Sequence, residues 1–310
     1  MKTILITGGT GFVGSYLVRK IIENNLFKII ILSRENSDFF RIDDLRKNLI
    51  IYHTEKTSLD DIFKDNKIDG VIHLSTYYTK NEEYEDIEKY IESNIELPTK
   101  ILHYAYKNNV RFFINTGSFF EYNFCSNPIN ESSKLNPSSL YSSSKISFDI
   151  MLKYYSSISN MNVINMKLSA VYGYNDKHKL ISYLMKSVIN NKKVILEKGE
   201  HEWDFIYVKD VVSAYLKAID LCLHSKRNIY EDVLIGTAKK TSIKKVVHII
   251  NKCKGKKLIK LEKDYPSNQI FVAYLDNSKA KNLLQWIPQY LIEDGLKETY
   301  NLYKASKNER

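Results

Sequence analysis

An α/β fold built on a doubly wound parallel sheet, with a smaller C-terminal lobe, is predicted by three features of this 310-residue sequence. Short, nearly continuous apolar runs alternate with amphipathic stretches through the first half, as parallel strands do when helices cover both faces of their sheet. Four of the eleven glycines are concentrated at Gly8, Gly9, Gly11 and Gly14, directly after the first apolar run and directly before a helical stretch. Beyond Gly173 the alternation turns irregular, which marks the smaller lobe.

Taken in order, strands are expected at Thr3–Thr7, Lys28–Ser33, Ile50–His53, Gly70–Ser75, Arg111–Asn115 and Asn162–Leu168, each a mostly apolar run of strand length. Helices are expected near 15–26, 58–66, 84–108 and 140–159, where apolar residues recur at helical spacing. Pro98 lies inside the third of these and predicts a kink or break, with Asn94 one turn earlier. After Gly173, helices are expected near 178–191, 209–223, 242–253 and 278–285. Short strands are expected at Lys193–Leu196, Phe205–Val208, Asp232–Ile235 and Lys257–Leu261.

The segment Thr7-Gly8-Gly9-Thr10-Gly11-Phe12-Val13-Gly14 joins the first strand to the first helix with the spacing G-x-x-G-x-x-G. Such a turn suits a dinucleotide pyrophosphate. The first glycine permits the tight turn, the second lets the backbone approach the phosphates, and the third lets helix and strand pack closely under the anion. The fold is therefore a Rossmann-type doubly wound parallel sheet with a smaller C-terminal α/β substrate lobe. Residues 1–173 are expected to form the dinucleotide-binding domain that carries the catalytic residues. Residues 174–310 form the substrate lobe over the carboxyl edge of the sheet, with parts of 204–236 packing back on the first domain. No repeat or low-complexity linker separates the two.

Composition narrows the classes. With 44% apolar and 26% charged residues the chain reads as an ordinary globular protein, and no apolar run approaches the ~18 residues of a membrane span. An N-terminal strand running into the glycine loop is not a cleavable signal peptide. Cys125, Cys222 and Cys253 follow no disulfide or metal pattern, so the reading is a cytoplasmic protein with no metal site. The net charge of +10 is mostly lysine, densest in Lys239 to Lys263. No nucleic-acid motif or interleaved aromatic pattern accompanies it, so it is read as solvated surface rather than a nucleic-acid site.

Three further groups carry chemistry. The second strand ends in Ser33-Arg34, where NAD sites usually place an acidic residue for the ribose hydroxyl; a hydroxyl and a guanidinium suit the extra phosphate of NADP. Tyr141-Ser142-Ser143-Ser144-Lys145 puts a phenol and an ammonium on one helical face. The lysine charge is expected to draw the tyrosine down from its ordinary pKa of ~10. The fifth strand ends in Asn115-Thr116-Gly117-Ser118, and Ser118, with Thr116 as its rival, is expected to hold a substrate carbonyl oxygen.

With these residues in view, the chain resembles the extended short-chain dehydrogenase/reductase family, the NAD-dependent epimerases and dehydratases of nucleotide-activated sugars, over nearly its whole length. The resemblance lies in Thr7 to Gly14, Val71-Ile72-His73-Leu74-Ser75, Glu131 through Pro137 to Lys145, and Ala170-Val171-Tyr172-Gly173. It continues in Trp203 to Val211, Leu234-Ile235-Gly236-Thr237 and Asp276 to Ala280. It implies Ser118, Tyr141 and Lys145 as the catalytic set. It further implies cofactor contacts from Gly8, Thr10, Gly11, Phe12, Val13, Ser33, Arg34, Leu74, Ser75, Thr76 and Thr116, together with Tyr141 and Lys145. Substrate contacts are implied at Thr79, Ser118, Phe119, Phe120, Tyr141, Lys179 and Trp203, and a homodimer through the 84–108 and 140–159 helices.

Departures from the family pattern select the reaction. Where sugar dehydratases of the family carry an acid pair after the catalytic hydroxyl, this chain has Phe119 and Phe120; Glu121 comes one residue late and is expected to point elsewhere on a strand-like backbone. Phe120 and Asn175 replace the Cys and His of the epimerising reductases, although His178 lies near. Trp203 replaces an arginine, Ala170 and Tyr174 replace the Asn and Pro flanking the Tyr-Gly turn, and His53 or Thr54 stands where an acid is expected near the adenine. Lys179 is the candidate substitute for the missing phosphate ligand. Ile91-Glu92-Ser93-Asn94-Ile95, Phe113 to Gly117 and Asp204 to Tyr207 look most like the CDP-paratose and CDP-abequose synthase group of 4-ketoreductases. The expected function is NADPH-dependent reduction of the C4 keto group of a nucleotide-linked 4-keto-6-deoxysugar. The alternatives are an NAD-dependent nucleotide-sugar 4-epimerase and a catalytically inactive NADP-binding scaffold.

Overall fold

The computed structural model describes residues 1–124, 128–177, 179–225, 228–265 and 270–308; Cys125 and His178 lie outside the described residues. The chain divides into two compact units. The first comprises Met1–Asn123, Glu131–Lys167 and Val212–Val233, the second Phe124–Asn130, Leu168–Val211 and Leu234–Arg310.

The first unit is organised on a seven-stranded parallel sheet. Strands β1 (Thr3–Thr7), β2 (Lys28–Ser33), β3 (Leu49–His53), β4 (Gly70–His73), β5 (Phe112–Ser118) and β6 (Asn162–Leu168) are joined by the strand Tyr230–Ile235. Reading across the sheet, the order is Tyr230–Ile235, β6, β5, β4, β1, β2, β3. The crossover from β3 to β4, on the far side of β1, is the reversal that opens a crevice at the carboxyl ends of the strands. The pairings of β1 with β2 and β4 put Thr7 level with Leu32 and His73, so the ends that carry the glycine loop, Ser33 and Leu74 lie side by side. Ile4, Leu5, Ile6, Ile30, Val71, Ile72, Phe113 and Ile114 are sealed from solvent, as a sheet covered on both faces requires.

The helices of this unit are α1 (Phe12–Glu23), α2 (Leu59–Asp65), α3 (Asp86–Ile91), α4 (Leu97–Lys107) and α5 (Leu140–Ser157). The stretch expected as one kinked helix over 84–108 keeps helical backbone angles throughout. It absorbs Pro98 in a π-helical turn, Glu92–Glu96. Proline has no N–H for the carbonyl one turn back, and the turn widens so that the Leu97 N–H reaches Glu92, five residues earlier. The widened turn points Asn94 inward, 2% exposed. The fifth strand runs on to Ser118, past the expected end at Asn115.

Among the described residues the second unit contains three small sheets. Ala170–Tyr172 pairs with Phe205–Tyr207, Glu202–Trp203 lies between Thr241–Ser242 and Val272–Ala273, and Val194–Glu197 pairs with Ile259–Lys263. Among its helices, α6 (Leu180–Ile189), α8 (Ile243–Lys254) and α10 (Ile292–Asn308) pack together. The sequence reading contains no helix α10, because a narrow stripe carries its burial: Leu296, Thr299, Tyr300 and Tyr303 are buried, and most of the remaining residues are charged or polar. The unit is knotted at Asp204, fully buried. Its carboxylate accepts the Thr237 N–H at 2.8 Å, the Thr237 hydroxyl at 2.6 Å, the Ala238 N–H at 3.1 Å and the Leu275 N–H at 3.3 Å.

Candidate active site

The glycine loop closes a tight turn in which the Gly11 N–H donates to the Gly8 carbonyl at 2.9 Å. Gly8 adopts φ +68°, and a Cβ there would stand 2.6 Å from the Ser75 nitrogen; a Cβ on Gly14 would stand 2.2 Å from the Gly8 oxygen. Side chains at either place would push the loop off β4 and α1. Gly11 caps α1 without a side-chain acceptor, so the first-turn N–H groups face outward with the positive end of the helix dipole. The Thr7 hydroxyl ties the loop to β4, accepting the Ser75 N–H at 3.2 Å and bonding His73 Nδ1 at 2.7 Å. Burial and the nearby Lys145 charge push the His73 pKa to about 3, so this histidine is a neutral strut.

Ser33 is buried, its hydroxyl bonded to His53 Nδ1 at 3.2 Å, whereas Arg34 at the strand end is exposed. Arg41, which belongs to no local motif, donates to the Thr10 carbonyl at 3.2 Å and so lies against the glycine loop. Thr76 donates to Asn94 Oδ1 at 3.1 Å. Asn94 also accepts the Tyr77 N–H at 2.7 Å and donates to the Ser144 hydroxyl at 2.9 Å. One inward side chain from the π turn thus ties the segment after β4 to α5. No local pattern announces it beyond Pro98.

Ser118 ends β5 and caps a 3₁₀ turn, Phe119–Glu121, through a reciprocal capping box. Its hydroxyl accepts the Phe120 N–H at 3.2 Å, and it works against the rise of the Tyr141 phenol's pKa. Tyr141 sits in the first turn of α5, where Ser139 caps the Ser142 N–H. Glu82, from the segment after β4, accepts the Leu140 and Tyr141 N–H groups at 2.9 and 3.1 Å. Lys145 follows one turn later, buried, donating to the Thr116 carbonyl at 2.9 Å, with its ammonium 5.9 Å from the Tyr141 ring centre. The Thr116 hydroxyl is taken by Tyr215 at 2.6 Å.

The electrostatics differ from the expected lowering at Tyr141. Burial raises the phenol above its ordinary range, opposed chiefly by the Ser118 hydrogen bond. Lys145 spends its ammonium on the Thr116 carbonyl, and burial lowers it to about 8, with the Glu121 charge working in the other direction. Glu121 is likewise not on a strand-like backbone: the 3₁₀ turn buries it against the Ser118 N–H, 2.6 Å, and Lys167, 2.8 Å.

The remaining candidates are scattered in character. Thr79 is half-buried; its hydroxyl donates to the Asn81 carbonyl at 3.0 Å and its N–H to the Tyr90 hydroxyl at 3.1 Å. Phe119 is buried and Phe120 half-buried, their rings 4.4 Å apart. Tyr78, unforeseen, stands exposed with its ring edge-on to Tyr141 at 5.2 Å. In the second unit, Lys179 keeps solvent access, yet its crowded surroundings lower its pKa, and it donates to the Val171 carbonyl at 3.2 Å. The Trp203 indole N–H is committed to Ile270 at 3.1 Å. Among the described residues no cluster of three or more metal-ligating side chains occurs, and no helix is long and apolar enough to cross a membrane.

A loop that tolerates no Cβ beneath an uncapped helix N-terminus, next to a phenol, an ammonium and a hydroxyl, fits a nicotinamide dinucleotide. Residues 4–236 match the NAD dependent epimerase/dehydratase family, and the chain belongs to that family and is an enzyme of it. Among its relatives it is similar to a CDP-abequose synthase of Salmonella muenchen, 29% identical over 97% of this chain and 98% of the relative. Among solved structures it is similar to a UDP-glucose 4-epimerase of Thermotoga maritima with UDP-glucose, at TM-score 0.86, 24% identity and 99% and 100% coverage. A UDP-glucuronic acid 4-epimerase of Bacillus cereus in complex with NAD matches at TM-score 0.85, 22% identity and 98% and 99% coverage.

Proposed function

We propose that the protein reduces the C4 keto group of a nucleotide-linked 4-keto-6-deoxysugar, with a CDP-linked sugar favoured. The observation that carries this reading is the state of Glu121. The carboxylate next to the catalytic hydroxyl is locked on Lys167 and the Ser118 N–H, so it is withheld from elimination chemistry. What remains at the site is a proton donor and an oxygen clamp, which suffice for reduction.

NADPH, when bound, supplies the hydride. Gly8, Thr10, Gly11, Phe12 and Val13 would hold its pyrophosphate, and Leu74, Ser75, Thr76 and Thr116 would line the nicotinamide side. Ser33 and the exposed Arg34 would take the 2′-phosphate. Tyr141 donates its proton to the developing alkoxide; its raised pKa suits a donor that must be protonated at neutral pH. Ser118 holds the oxygen and orients the phenol, and Lys145 keeps positive charge at the site. Thr79, Phe119, Phe120 and Trp203 are the proposed sugar contacts, and Lys179 the proposed diphosphate ligand. The packed helices α3 and α5 expose Ile87, Ile91, Ile150, Met151 and Tyr154, which supports a homodimer through this face, in a protein of the cytoplasm.

Mixing the enzyme with NADPH and CDP-, dTDP- and GDP-linked 4-keto-6-deoxysugars should consume the reduced cofactor with one nucleotide, followed by absorbance. Tyr141→Phe should lower the rate by roughly 10²–10⁴-fold while NADPH still binds; an active Tyr141→Phe enzyme sinks the assignment. A second reading, an NAD-dependent nucleotide-sugar 4-epimerase, is supported by the fold likeness to 4-epimerases solved with NAD. NAD retained through purification, with no NADPH consumption, would favour it.

A further inference from the structure

We infer that Glu121, pinned by Lys167, is a positioning residue of the site: it fixes the Ser118 hydroxyl through the Ser118 N–H and sets a negative charge behind the stretch of β5 whose Thr116 carbonyl holds Lys145. The inference rests on the reading of Ser118, Tyr141 and Lys145 as the working set, and holds for a reductase or an epimerase alike.

Both partners of the pair are 1% exposed, and the two oxygens of Glu121 are divided between them: Oε1 takes the Ser118 N–H at 2.6 Å, and Oε2 takes Lys167 Nζ at 2.8 Å. An ion pair this deep cannot relax into water, so it sets the orientation of the turn it belongs to. That turn begins at Ser118, and the reciprocal capping box leaves the hydroxyl one arrangement, on the Phe120 N–H and toward Tyr141. Gly117 makes the approach possible, because a Cβ there would lie 2.8 Å from Glu121 Oε1 and 3.0 Å from the Lys167 side chain.

The pair is the near end of a larger charge cluster. Lys167 also faces Asp232 at 3.5 Å and Asp149 at 3.8 Å. Asp149 in turn is held by the exposed Lys153 at 2.9 Å, by the Tyr230 hydroxyl and by Asn165 at 3.0 Å. Three carboxylates therefore surround one buried ammonium, and the excess is negative. Glu121 is the member tied to the site: it holds the Ser118 N–H, two residues along β5 from the Thr116 carbonyl that takes Lys145, and its charge favours that ammonium. The other groups acting on this corner are the neutral His73 of β4, Tyr122 after the turn, and, on Tyr141, Tyr215 of α7 (Val208–His224), Tyr90 of α3 and Tyr78, whose ring stands edge-on to it. With burial holding Lys145 near 8, a counter-charge on this side decides how much of it stays protonated at working pH.

Glu121→Gln keeps an acceptor for the Ser118 N–H and removes the charge. The ionisation of Lys145 is read without turnover, as the pH dependence of its trace acetylation by mass spectrometry. The midpoint should fall by about one unit, and in turnover the alkaline limb of kcat should move the same way while KM changes little. Asp232→Asn, which removes a charge from the same cluster away from Ser118, should leave the Lys145 midpoint in place. If Glu121→Gln does not fold, Glu121→Gln with Lys167→Met removes both charges and should show a smaller fall, because the repulsion from Lys167 leaves together with the attraction from Glu121. An unmoved midpoint in the folded variant overturns the inference. A moved midpoint in an enzyme that consumes no NADPH overturns the reductase reading alone.

Discussion

Glu121 and Asp204 are both buried carboxylates, one in each unit, and they are held in opposite ways. Glu121 shares its charge with Lys167, whereas Asp204 is gripped by the uncharged donors of Thr237, Ala238 and Leu275. Burial pushes both upward; the lysine opposes it at Glu121, and hydrogen bonds oppose it at Asp204, which still rises to about 6. A carboxylate that satisfies backbone N–H groups is a fixed knot whose influence ends at its donors. One paired with a buried lysine joins a charge network, and other ionisable groups, here Lys145 and Tyr141, feel it. Burial alone therefore does not distinguish structural acids from those that tune a site; the charge of the partner does.

The largest effect expected from this contrast is at Asp204. Asp204→Ala strands three backbone N–H groups and a hydroxyl in the interior, and should cost roughly 3–5 kcal/mol of folding free energy, read by urea denaturation. A cost under about 1 kcal/mol would break the comparison, because the knot would then be ornamental. Its titration sharpens the same point. A folded-state pKa of about 6 lies above the unfolded value of 3.8. The contribution is therefore fully present below pH 4 and is lost as pH climbs through 6, by up to about 3 kcal/mol. The stability difference between the native protein and Asp204→Asn should shrink over that window, and a difference flat from pH 4 to 7 would mean that the donors, not burial, dominate.

The fold and half of the site were legible because their signals are local. The glycine loop, the Ser33-Arg34 strand end and the Tyr141–Lys145 pair each lie within a few residues, and the strands holding them are apolar runs that few other structures could accommodate. What escaped depends on partners distant in sequence. Glu121 reads as misplaced until Lys167, 46 residues on, is seen to bury it. Read locally, Tyr141 is tuned by its neighbour four residues away; the fold instead gives that neighbour to the Thr116 carbonyl of β5. Asn94 stands one turn before Pro98 in the sequence, but its inward aim follows from the π turn and no spacing rule contains it.

The smallest expected effect is at a third carboxylate, Glu82, which resembles Asp204 in gripping backbone N–H groups but does so in solvent. It reaches 58 residues along the chain to the Leu140 N–H, and takes the Tyr141 N–H as well, at the positive end of α5. Water can replace it there, so Glu82→Ala should cost only about 1 kcal/mol, shrinking with added salt as a helix-dipole contribution does. The local consequence should exceed the global one: amide exchange at Leu140 and Tyr141 should quicken while the rest of α5, still capped by Ser139, keeps its protection. Glu82→Gln, which retains an acceptor, should recover part of the loss. A cost as large as that of Asp204→Ala would mean that the number of backbone donors sets the value of a carboxylate knot. A cost near 1 kcal/mol, with exchange confined to the first turn, would assign that value to burial.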